Sequence, residues 1–291
     1  MTPNAPSPSS ASPNRPAAYP QLIGDYAERM ARHQQKITLV LRLLRDEIWT
    51  SVPVLSDYLG VSYSSAHRIT QTMAGDGLVT TQVFTVKGGR GVRNVVLLGI
   101  THHGLAHAWS LNEVVESRGS WEPSKVNALY VPHVLEVQQA RIRAERCGWS
   151  GWAPGRMLAN RSWPKVPDAL AVSPEGKKVA VEVERHIKSQ KRYEVVIGSY
   201  ITQMKQADSG LDRVDYLAPS NDMALRLART FGLVKSLRTE GKANAPGRVA
   251  PLAQAHLDRF RFYSAERWPE GPFALARLGG GFVVPEGDGH A

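Results

Sequence analysis

Cysteine is almost missing from this chain: Cys147 is the only one in 291 residues. An intramolecular disulfide is therefore ruled out, and a thiolate zinc site is ruled out in practice. A reducing compartment fits, so a cytoplasmic protein is expected. The sequence also lacks a long apolar run, and no membrane insertion is expected. The first twenty residues, rich in Pro, Ser, Ala and Asn, have neither the basic start nor the apolar stretch of a signal peptide, and read as a disordered tail. Internal repeats are absent. Acid is the scarcer charge: 26 Asp and Glu stand against 36 Lys and Arg, a formal net charge of +10. That excess favours a polyanionic partner, with nucleic acid foremost. The length and a 42% hydrophobic content are enough for about two cores.

The pattern along the chain divides it at 1–20 (tail), 21–118, 124–270 and 271–291 (tail), with Gly119 to Ser124 as a linker. Leu22 to Arg32 and then Ile37 to Ile48 have helical periodicity. Ser51 starts a short helix closed by Gly60, and Ser62 starts another that runs to about Met73. Strands are expected from Leu78 to Val86 and from Val92 to Ile100, joined by a basic glycine turn, and Thr101 caps a helix to about Leu111. In the second part, Val126 to Arg146 reads as a long helix broken near Pro132, carrying Leu129, Val134, Leu135, Val137, Ile142 and Cys147 towards a core. A helix from Gln190 to Gln206, a strand from Val214 to Leu217 and a helix from Asn221 to Phe231 follow. Lys235 to Arg248 is expected to be mobile.

The second helix of the first pair exposes Tyr63 and the short polar or basic side chains Ser64, Ser65, His67, Arg68 and Gln71 at its start, suited to base edges. Lys87, Arg90 and Arg93 on the hairpin suit phosphates. From Lys36 to Trp109, including Asp76-Gly77-Leu78-Val79 and the Thr101 to Gly104 helix start, the sequence resembles winged helix-turn-helix domains.

The chemistry concentrates in Val179-Ala180-Val181-Glu182-Val183-Glu184, which follows Pro167-Asp168 and the turn Ser173-Pro174-Glu175-Gly176. Strand side chains alternate between faces, so the valines point into a core and Glu182 and Glu184 share the opposite face. With Asp168 at the mouth of the preceding strand, three carboxylates are expected to converge. Oxygen ligands of this kind suit magnesium acting on a phosphodiester. The competing reading is a solvated strand face paired with Lys177 or Lys188. Tyr193 and Tyr200 are available as nucleophiles, although their shared stripe is better explained by packing. Trp149, Trp152 and Trp163 either stack on unpaired bases or build core. His102, His103 and His107 read as packing or surface residues, and His133 as either a core or a near-site residue.

The Pro167-Asp168 and Glu182-Val183-Glu184 pattern resembles the PD-(D/E)XK nucleases, with Glu184 at the position where lysine is usual. Lys188 and Lys191, or Arg185 and Arg192, are then the candidates for the missing positive charge. Over about Tyr130 to Phe231, His133, Glu136, Pro167-Asp168-Ala169, Val181 to Arg185, Lys188-Ser189, Lys191-Arg192-Tyr193 and Tyr200 together resemble the MobC-type plasmid mobilisation relaxases and replication-relaxation proteins. The resemblances imply an α+β chain with an α/β core: an N-terminal winged helix-turn-helix and a C-terminal restriction-endonuclease-like mixed sheet flanked by helices. They imply Mg2+ or Mn2+ held by Asp168, Glu182, Glu184 and Glu136, and catalysis by Asp168, Glu182, Glu184, Lys188 and Lys191. The partners would be double-stranded DNA at a transfer origin, an exposed single strand and a coupling protein. Two other functions remain open, a non-catalytic replication or transcription regulator and a restriction-type endonuclease.

Overall fold

A computed structural model describes residues 25–88, 91–159, 163–206, 209–238 and 249–270. The chain is a mixed α+β protein with a three-stranded, a five-stranded and a two-stranded sheet among the described residues. Arg90 and the two expected tails at 1–20 and 271–291 lie outside the described residues, as does most of Lys235 to Arg248.

The N-terminal half opens with one helix, α1 (Tyr26–Glu47), where two helical segments were expected. Asp25 caps it by accepting from the Ala27 N–H, and no helix breaker intervenes before Ile48, which adopts φ +67° and ends it. Strand β1 (Trp49–Ser51) leads into α2 (Val52–Leu59), with proline in its first turn and Gly60 at φ +62° closing it. Ser62 then caps α3 (Tyr63–Gly75) by accepting from Ser65 N. The hairpin β2 (Val79–Gly88) and β3 (Gly91–Ile100) is in register from Val79↔Ile100 to Gly88↔Gly91, and β1 adds to β3. Helix α4 (His102–Ala106) is shorter than expected, because the chain turns so that Ala108 enters the core and the Ser110 N–H reaches the Glu113 carboxylate. Val40, Leu43, Leu44, Leu55, Ala66, Met73 and Leu98 fill this core.

The expected linker is docked rather than free. Trp121 is buried against the sheet, its N–H bonds Ile100 O, and its ring lies over Gly99, where an added Cβ would meet it at 2.2 Å. After a short 3-10 turn, α5 (Val131–Arg146) begins, with Pro132 in its first turn. Proline therefore starts this helix instead of breaking it, since its fixed φ and missing N–H cost nothing there. Leu129 precedes the helix and is exposed, and Cys147 follows it and is exposed; neither reaches the core as expected.

Beyond α5 lie β4 (Ser150–Pro154), α6 (Gly155–Leu158), β5 (Ala169–Val172), β6 (Lys178–Val183), α7 (Gln190–Met204), β7 (Arg213–Ala218), α8 (Asn221–Gly232), β8 (Ser236–Arg238), β9 (Val249–Pro251), α9 (Gln254–Leu257) and β10 (Phe260–Ser264). The five-stranded order is β10-β7-β6-β5-β4. Strands β4, β5 and β6 form an antiparallel meander, α7 crosses over, and β7 and β10 run parallel to β6. Both sheet faces are covered. Ala180, Val214 and Tyr216 face α7 and α8, whereas Val179, Val181 and Val183 pack with Val137, Ala140 and Ala144 of α5. This coverage removes the solvated strand face that β6 would otherwise have.

Helix α5 also grips the N-terminal half. The Arg141 guanidinium bonds Glu47 (2.9 Å), Asp46 (3.1 Å) and Glu145 (2.7 Å). Gln138, 1% exposed, accepts from Thr50 Oγ1 and donates to Trp49 O, and Gln139 reaches Asp57.

Candidate functional site

Asp168 sits at the entrance to β5, beside β6. The α6 start passes so close that a Cβ on Gly155 would lie 2.3 Å from Pro167 O, and Gly155 N donates to Asp168 O at 2.7 Å. Asp168 Oδ2 accepts from the Val183 N–H (2.8 Å), and Oδ1 hydrogen-bonds His133 Nε2 of α5 (3.1 Å). Burial works to raise the Asp168 pKa, but the hydrogen bond and charge of His133, the Val183 N–H and Lys165 together hold it below the usual carboxylate value. Burial in turn works to lower His133, yet Asp168, Glu136 and Glu182 raise it overall.

Glu182, 6% exposed, points from β6 beneath α7. Its Oε1 accepts from Lys165 Nζ and from the Tyr200 hydroxyl. Burial raises its pKa, Lys165 opposes this, and the nearby Asp168 charge adds to the rise. Asp168 and Glu182 are thus brought together, with one lysine and one histidine attending them. Tyr200 is fully buried, and burial and Glu182 hold its phenol well above its usual value, which makes it an orienting donor to Glu182 and a poor nucleophile.

Glu184 lies just past the end of β6, also beneath α7, but in separate company. Its Oε2 accepts from Lys188 Nζ (2.7 Å) and from the Tyr193 hydroxyl (3.4 Å). Glu136 faces Arg185 (3.3 Å). Burial raises Glu136, with Arg185 opposing. Lys191 is exposed on the first turn of α7 and forms no ion pair with these carboxylates among the described residues. The expected convergence of three carboxylates therefore reduces to two, because Glu184 turns to Lys188 and Tyr193, away from the His133 and Lys165 contacts of Asp168 and Glu182. Among the described residues no group of three or more His, Cys, Asp or Glu side chains is placed to hold a metal ion. Magnesium and manganese use one or two carboxylates and complete their shell with waters and substrate phosphates, so Asp168 and Glu182 are the residues that could hold such an ion.

Lys165 carries no motif of its own. Its one sequence signal is its place three residues before Asp168, in Lys165-Val166-Pro167-Asp168. It forms an ion pair with Glu182, whereas Lys188, one of the candidates for the missing positive charge, pairs with Glu184. Trp149 packs on Trp268 at 4.9 Å in the core beneath α5, with Trp152 half-buried against it, and Trp163 is half-buried against the core on the α7 face of the sheet.

A cleft of about 600 Å³ runs between the two halves. It is lined by Pro53 and Tyr63 on one side, Arg93 of the hairpin, and Glu136, Gln139 and Arg185 on the other. Glu136 and Arg185 line it, whereas Asp168 and Glu182 are not among its lining residues. Ser64, His67, Arg68 and Gln71 are exposed on α3, Ser65 is half-exposed and bonded to Ser62, and Lys87 and Arg93 are exposed on the hairpin.

No family model and no curated protein matches the chain. One partial likeness is to a solved structure, an apo mutant of Lactococcus lactis ZitR, at TM-score 0.22 and 16% identity. It covers 28% of this chain and 58% of that one, less than two thirds of its length. No helix among the described residues is long and apolar enough to cross a membrane.

Proposed function

We propose that this chain is a DNA-processing enzyme, a plasmid mobilisation relaxase that recognises a transfer origin and nicks one strand with a divalent cation. Helices α2 and α3 with the β2–β3 hairpin act as a winged helix-turn-helix: α3 meets base edges, and Lys87 and Arg93 meet phosphates. The five-stranded sheet acts as a PD-(D/E)XK-type nuclease core. The observation that carries the reading is the pairing of Asp168 and Glu182 on neighbouring strands of a meander with a crossover, attended by Lys165 and His133.

Asp168 and Glu182 would hold Mg2+ or Mn2+, which supplies charge neutralisation at a phosphodiester and a more acidic bound water. The chain's own residues do the rest. The Val183 N–H and His133 fix both oxygens of Asp168, Tyr200 fixes Glu182, and Lys165 places a positive charge where negative charge develops on the phosphate. Arg93 and Arg185 line the cleft between the two halves and would favour entry of the DNA backbone there.

Purified protein with Mg2+ or Mn2+ should convert a supercoiled plasmid carrying its cognate transfer origin into the open circle. Asp168→Asn and Glu182→Gln should each abolish this while binding the same DNA. Undiminished nicking by both variants would sink the site. A second reading has a specific observation behind it: Asp168, Glu182 and Glu184 are all held by protein donors, as in a scaffold serving a non-catalytic regulator. That reading requires binding with no metal-dependent cleavage. Linear product in place of the open circle would instead mark a restriction-type endonuclease.

A further inference from the structure

Helix α1 is longer than its core needs. Among the described residues none before Ile37 is buried, and Tyr26 and Met30 are 69% and 47% exposed. The segment Tyr26–Lys36 extends by about 16 Å with only partial cover, His33 and Lys36 being half-buried, and a helix of this length is marginal in water by itself. Its side chains are nevertheless organised. Arg29, Arg32, His33 and Lys36 line one groove of about 410 Å³ together with Ser65, Arg68 and Thr72 of α3, and none of the lining residues is acidic.

The spacing follows from helix geometry: positions 29, 32, 33 and 36 are three and four apart and lie on one face. Arg68 and Ser65 on α3 look into the same groove from the helix assigned to base contact. Arg32 pairs with Glu28 at 2.9 Å, but both side chains are at least half exposed, and such a pair is weak and readily exchanged for a phosphate. A groove bounded by the basic face of α1 and by Arg68, with the Ser65 and Thr72 hydroxyls beside them, complements a phosphodiester backbone.

We propose that this α1–α3 groove is a second phosphate-binding site, gripping the DNA backbone next to the base pairs that α3 reads. The inference rests on the winged helix-turn-helix reading and extends it. It turns a two-point grip, α3 and hairpin, into a three-point one with a longer footprint.

The test uses the full chain and a random-sequence duplex of about 30 base pairs, with affinity measured by fluorescence anisotropy over a series of salt concentrations. The variant Arg29→Gln/Arg32→Gln/Lys36→Gln removes the charge but keeps helix propensity, and circular dichroism and thermal melting should match the wild type because no core residue changes. The expected result is weaker binding and a slope of log affinity on log salt shallower by about 2 to 3, since each phosphate neutralised contributes about 0.9. The variant Lys177→Gln/Arg259→Gln, on a basic patch lined by the C-terminal sheet, should leave the slope unchanged. Wild-type binding with an unaltered slope in the triple variant would overturn this inference and leave the α3 reading standing. Absence of salt-dependent binding by the wild type would overturn both.

Discussion

Lys165 and Glu184 behave differently from what their places in the chain suggest. Glu184 shares the Glu182-Val183-Glu184 run that suggested a site, yet its carboxylate is used by Lys188 and Tyr193, while Lys165, outside that run, meets Glu182. Lys165→Ala should therefore slow nicking by about 10² to 10³-fold with DNA affinity kept. Glu184→Gln should retain nicking and lower stability by about 1–3 kcal/mol through its weakened buried bonds; single-turnover nicking and urea denaturation separate the two. Glu113 gives a pH effect remote from the site. The Ser110 N–H and hydroxyl and the Arg45 guanidinium hold its carboxyl down at about 2 against an ordinary 4.5. A depressed carboxylate pKa contributes stability that is complete above pH 4.5 and is lost as the pH falls towards 2. The fall of melting temperature across that window should be shallower in Glu113→Gln than in the wild type.

Among the elements, α5 does the most to place the site. One stripe packs Val137, Ala140 and Ala144 on the five-stranded sheet, His133 reaches Asp168, and Gln138 and Arg141 hold β1 and the end of α1. Arg141 is kept firmly charged, since Glu47, Glu145 and Asp46 outweigh the desolvation that opposes it. Arg141→Met strands Glu47, 5% exposed, without its partner, and should cost about 3–5 kcal/mol. The double variant Glu47→Leu/Arg141→Met should recover most of that loss, because removing both ends of a buried pair is often neutral. Chemical denaturation of Arg141→Met, Glu47→Leu and the double variant gives the coupling, and a double variant as unstable as Arg141→Met would refute the account. The identity of these elements was readable where periodicity is strong: α3, the hairpin, α7 and α8 lie within about two residues of expectation, the usual margin at helix ends. The errors fell where a local signal has two meanings, as with Pro132, which starts a helix as well as breaking one, or where burial depends on distant chain, as with Trp121.

At the scale of the whole molecule, the contacts of α5 and Trp121 make the helix α3 and the Asp168–Glu182 pair parts of one body. A nick should then fall at a constant offset from the footprint of α3. Mapping the nicked position against a hydroxyl-radical footprint on the same plasmid tests this, and nicks scattered relative to the footprint would show that the two halves move independently. Arg141→Ala should broaden the distribution.

The sequence by itself determined the basic charge, the helices and strands with strong periodicity, and the sharing of one β6 face by Glu182 and Glu184, because these follow from local alternation and composition. Tertiary structure alone decided that this face lies beneath α7 and is dry, that Asp168 and Glu182 share a place while Glu184 and Glu136 do not, and that Lys165 supplies the nearby charge. Those outcomes depend on which side chains the crossover and α5 bring within hydrogen-bonding distance, and chain spacing carries no measure of that distance.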